Sequence, residues 1–104
     1  LADEVVEHLP RGRAYLADQL ERAATSIPQN IAEGAGEFSK KDKARFYRMA
    51  LRSGTECAAL LQICGRLKLV EPATASSGRE LLIRIVSMLT RMVRTLGGSG
   101  TGSG

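Results

Sequence analysis

The stretch Gln19-Leu20-Glu21-Arg22-Ala23-Ala24-Thr25-Ser26-Ile27-Pro28-Gln29-Asn30-Ile31-Ala32-Glu33-Gly34 decides the fold. With Leu16 just before it, its apolar residues Leu16, Leu20, Ala23, Ile27 and Ile31 are spaced 4, 3, 4 and 4, a helical stripe rather than a strand alternation. The spacing predicts a helix from about Arg13 to Glu33, ended by Gly34 and Gly36. Pro28 removes the amide that would bond the Ala24 carbonyl and disfavours helix at Ile27, so a kink or break is expected there. Ser26 or Thr25 would then satisfy the freed backbone groups. Arg22, Ser26, Asn30 and Glu33, spaced 4, 4 and 3, form a polar line beside the apolar one.

Working outward toward the C-terminus, Ser39-Lys40-Lys41-Asp42 has the form of a capping box. Beyond it Phe46 or Tyr47, Ala50, Gly54, Cys57, Leu61, Cys64 and Leu67 make one continuous stripe. Gly54 costs about 1 kcal/mol of helix propensity against Ala, so close approach of a neighbouring helix is its expected reason. Cys57 and Cys64 stand ~10.5 Å apart along such a helix, at ~1.5 Å per residue, too far for a disulfide. They read as small core residues. This helix should stop before Pro72, with Thr74 to Gly78 a loop. A last helix should begin at Ser77, where Ser77-Gly78-Arg79-Glu80 is a full capping box. Ten of the sixteen residues from Leu81 to Leu96 are apolar, more than one buried stripe requires. That helix is therefore expected to pack on two sides, with Leu82, Ile85, Val86, Leu89 and Val93 meeting another subunit.

Toward the N-terminus, Leu1 to about His8 reads as the tail of a helix that would have begun upstream. Pro10 and Gly12 then mark a turn. Residues 97–104 are only Gly, Ser and Thr, a flexible linker composition, so the folded domain should span residues 1–96. The expectation is an all-α, antiparallel up-down four-helix bundle with a shortened first helix, assembled into a ring-shaped homo-oligomer.

The Gln19–Gly34 stretch closely resembles the signature of the 23S rRNA intervening-sequence family, also called the ribosomal protein S23 family. That signature reads Q-L-R-R-A-A-x-S-I-P-x-N-I-A-E-G, and Glu21 is the clear departure. The resemblance continues through Ser39, Arg45-Phe46, Arg48, Ala50, Ser53 and Glu56, and spans about residues 16–96. The first helix is shorter than is usual, Gly54 stands where Leu is common, and Leu51-Arg52 replaces a more usual Arg-Gly pair. The resemblance implies a four-helix bundle and a toroidal homopentamer. It also implies relation to the accessory proteins of diversity-generating retroelements, basic bundles that bind a reverse transcriptase and nucleic acid.

Composition sets the limits on function. The chain has 104 residues, 43% of them hydrophobic and 25% charged, which is ordinary for a folded domain. No apolar run approaches the ~20 residues needed to cross a bilayer. The net charge of +4 is unevenly spread: residues 40–70 carry 8 basic against 2 acidic groups, or +6. Lys41, Arg45, Arg48 and Arg52, spaced 4, 3 and 4, line one helix face, and Arg84 and Arg91 with Arg94 occupy the polar sector of the last helix. Such cations suit phosphate contacts, repeated around an oligomer. A single histidine, His8, and two cysteines assemble neither a metal set nor a nucleophile–base pair. No catalytic residue, metal or cofactor is expected. Arg22, Ser26, Pro28, Asn30, Glu33 and Gly34 are read as structural, with Arg45 pairing with Glu33. The reading is a non-enzymatic cytoplasmic accessory protein that meets RNA or a nucleic-acid-processing protein such as a reverse transcriptase. A purely structural oligomeric scaffold is the alternative.

Overall fold

The hydroxyl of Ser39 accepts a hydrogen bond from the Asp42 amide at 3.0 Å and so starts the longest helix where the capping pattern places it. A computed structural model describes residues 13–97 of the chain. Within them are three α-helices and no strand: α1 Ala14–Ala35, α2 Lys40–Arg66 and α3 Pro72–Thr95. The expected helix over residues 1–8 and the tail from Gly98 lie outside the described residues.

Short connections make consecutive helices antiparallel neighbours. α2 is the middle helix and packs against both others, whereas α1 and α3 bring no Cα atoms within 8 Å of each other. The first core joins Leu20, Ala23 and Ile27 of α1 to Cys57, Leu61 and Cys64 of α2 and Leu82 of α3. The second joins Tyr47 and Ala50 of α2 to Leu89 and Val93 of α3. Leu61 and Leu89 are fully buried, and side chains of this kind contribute ~1.5–3 kcal/mol each when removed from water. Small residues set the closeness of α2 and α3. A β-carbon at Gly54 would stand 3.1 Å from Val86 Cγ2, and one at Gly65 would stand 3.3 Å from Ala75 Cβ. The close-packing role expected for Gly54 is what the fold uses.

Three expectations are corrected. α1 runs unbroken through Pro28, which sits on the exposed side. Buried Ile27 and half-buried Ile31 on either side hold the helix together against the missing hydrogen bond. The neighbouring hydroxyls also turn elsewhere: Thr25 Oγ1 donates to the Glu21 carbonyl at 2.8 Å, not to the carbonyl Pro28 leaves free. Of the two glycines expected to end the helix, Gly36 is its C-cap and Gly34 lies inside it. Finally, α3 begins at Pro72, so the expected loop over 74–78 is helical and Ser77 is no cap. Proline suits the first helical turn because the amide it lacks would have no partner there, and burial of Ala75 and then Gly78 fixes the first two turns.

α2 ends in a paired reverse bond. The Leu69 amide reaches the Cys64 carbonyl at 2.9 Å and the Lys68 amide reaches that of Gly65 at 3.1 Å, with Lys68 at φ 60°. This is the Schellman arrangement, with a lysine where glycine is usual.

Candidate nucleic-acid interface

Between α1 and α2 runs an open groove of about 400 Å³. Its floor is polar and comes from both helices. Ser26 of α1 and Ser53 of α2 bring their hydroxyl oxygens to 2.8 Å. Asn30, one turn beyond Ser26, donates its amide to both Ser26 Oγ and the Ser26 carbonyl at 2.9 Å. This network ties α1 to α2 through half-buried groups and leaves no buried side-chain polar atom without a partner among the described residues.

The groove walls are cationic. Arg45, Arg48 and Arg52, with Met49 between them, line it from α2, and among the described residues no carboxylate does. On a helix these positions advance three, then four residues, which keeps them on neighbouring rows of one face. Arg45 lies with its guanidinium 4.6 Å from the centre of the Phe46 ring and 4.0 Å from the Asp42 carboxylate. The expected pair with Glu33 does not form; Asp42, one turn back on the same helix, is the carboxylate Arg45 meets. Exposed pairs of this kind contribute little to stability, so Arg45 remains available to a stronger anion.

The remaining cations fall into other places. Lys41 is exposed on α2 but is not part of the groove lining. Lys43 turns back onto α1, its Nζ donating to the Gly34 carbonyl at 3.4 Å and the Ala35 carbonyl at 3.2 Å, where the helix dipole favours positive charge. Arg84 and Arg91 are exposed on α3. Arg91 borders a second, more apolar groove with Lys43, Tyr47, Met88 and Met92. The six cations expected to act together are thus divided between the helices, and only Arg45, Arg48 and Arg52 converge.

The family model of the 23S rRNA-intervening sequence proteins matches residues 1–91. The chain belongs to that family. No curated protein matches the sequence. In this intervening-sequence protein the signature stretch divides into distinct tasks. Ser26 and Asn30 build the groove floor. Gly34 is buried beneath Tyr47, whose ring leaves no room for a side chain there. Arg22 is exposed and paired with Asp18 at 3.2 Å, while Pro28 and Glu33 face outward.

Leu82, Leu89 and Val93, expected at a subunit interface, are buried in the chain's own core, and Ile85 and Val86 pack half-buried beside them. The large apolar side chains that α3 leaves exposed are Leu81, Ile83 and Met88. Sequence reasoning also missed Ser53 as the partner of Ser26. The available signal was its place at the edge of the basic stripe, between Arg52 and buried Gly54. Among the described residues no cluster of His, Cys, Asp and Glu is suited to a metal ion. No helix among them is long and apolar enough to cross a membrane.

Proposed function

We propose that this intervening-sequence protein is a non-enzymatic accessory that binds RNA through its phosphates at the α1–α2 groove. The observation that carries this reading is the convergence of Arg45, Arg48 and Arg52 on one groove that no carboxylate lines among the described residues. Guanidinium groups match phosphate oxygens with paired hydrogen bonds, and phosphate contacts alone give affinity without reading sequence. The association of the family with 23S rRNA intervening sequences supports RNA as the polyanion.

The finer architecture belongs to the same proposal. Among the described residues the middle helix packs against both others. A four-helix bundle assembled into a ring, five subunits by family resemblance, would multiply weak phosphate contacts. A scaffold without a nucleic-acid role is favoured by the exposed Leu81, Ile83 and Met88 of α3, which suit a protein partner.

Fluorescence anisotropy with a labelled RNA hairpin tests the reading. Binding should weaken steeply with salt, and the double variant R48E/R52E should abolish it while leaving the helical circular dichroism unchanged. Binding that survives R48E/R52E, or that ignores salt, contradicts it.

A further inference from the structure

We infer that the α1–α2 groove is a discrete site for a single phosphate group, built from hydroxyl donors as well as arginines, and not only a patch of positive field. The inference deepens the RNA-binding reading and rests on it for the source of the phosphate, the RNA backbone.

The hydrogen-bond inventory of the floor carries it. Ser26 and Ser53 together hold two hydroxyl protons, and the 2.8 Å bond between them uses one. Asn30 contributes only donors to this cluster, since its amide nitrogen reaches Ser26 Oγ and the Ser26 carbonyl. Whichever serine donates to the other, one hydroxyl proton has no acceptor among the described residues. It sits half-buried in a groove that no carboxylate lines among the described residues. Asp42, the carboxylate that Arg45 meets, stands 4.0 Å from its guanidinium, a distance beyond a hydrogen bond. An oxyanion in the groove would accept the spare hydroxyl proton from below and guanidinium protons from the walls. Phosphate supplies several acceptor oxygens on one centre, whereas chloride offers no directed lone pairs and no bidentate edge.

A nitrogen-15 NMR titration of the whole chain with inorganic phosphate, against sodium chloride at matched ionic strength, tests this. Saturable shifts at Ser26, Asn30 and Ser53 with phosphate alone are expected. Replacing both hydroxyls in S26A/S53A removes the inter-helix bond with both its partners and leaves Asn30 its bond to the Ser26 carbonyl; the variant should keep its helical circular dichroism and weaken phosphate binding about tenfold, the loss of one hydrogen bond to a charged group. The variant R45K/R48K/R52K keeps the charge but loses the paired geometry, and should also bind phosphate more weakly while its RNA binding retains its salt dependence. Phosphate shifts no larger than those of chloride, or S26A/S53A equal to the parent, overturn the inference, and the RNA-binding reading survives if RNA still binds. Saturable phosphate binding without RNA binding establishes the site and overturns the RNA reading, leaving a small phosphate ester as ligand.

Discussion

Gly34 shows how much a single residue can depend on one thirteen positions away. A β-carbon there would come 2.6 Å from Tyr47 Cε1 and 2.9 Å from Cδ1, and the Tyr47 ring is itself buried. Alanine improves helix propensity by ~1 kcal/mol, but forcing a buried ring aside costs ~1–3 kcal/mol. Gly34→Ala should therefore lower the thermal midpoint by several degrees, and a midpoint equal to or above the parent's contradicts this packing. In the sequence this glycine reads as a helix end, because nothing local records that Tyr47 folds back over it. Gly54 was legible, since a glycine inside a long apolar stripe weakens its own helix unless a neighbour packs closely there. The two thiols make a second prediction at this scale. Burial raises the pKa of both Cys57 and Cys64 from 9.0. The unfolded chain ionises near its ordinary value while the folded chain resists. Stability carried by these groups is thus whole below about pH 9 and declines as the pH climbs above it. Thiol-specific labelling at pH 8 should proceed only at the rate of unfolding. Rapid labelling of the native protein would show that the cysteines are not core residues.

At the scale of the helix, the four residues around each start decided what could be read. Ser39 lies directly before the α2 run and its hydroxyl holds the Asp42 amide, so its role was plain in the sequence. Ser39→Ala should cost about 1 kcal/mol, measured by urea denaturation; an unchanged midpoint would mean that Lys40 and Lys41 start the helix unaided. Ser77-Gly78-Arg79-Glu80 has an equally good pattern but lies within α3. Capping residues are compatible with a helix interior, and the Pro72 start places Ala75 against Gly65, burial that a start at Ser77 would forfeit. Pro28 does not break α1, for a related reason. Local chemistry disfavours helix at Ile27, but burial of Ile27 against α2 and continuation through Ile31 outweigh one lost hydrogen bond. Periodicity thus located the helices, and tertiary burial moved their limits.

For the whole molecule, charge and packing are arranged on opposite sides of α2. Its apolar stripe carries Ala50, Cys57, Leu61 and Cys64 into the core, while Arg45, Arg48 and Arg52 stay exposed. That basic stripe was visible as a spacing of three and four. Its meeting with Ser26 and Asn30 of α1 was not, because the sequence does not give the rotation of one helix about another. The same limit explains α3: its apolar excess was apparent, but which residues face inward was settled only by the packing of Val86 over Gly54 and Leu89 beside Tyr47. The decisive measurement is a nitrogen-15 NMR titration with a short RNA strand, mapping which backbone amides shift. Phosphate binding in the α1–α2 groove predicts shifts concentrated at Ser26, Asn30 and residues 45–53, fading as salt is raised. Shifts confined to the α3 surface around Arg84 and Arg91, or no shifts at any salt concentration, would contradict it.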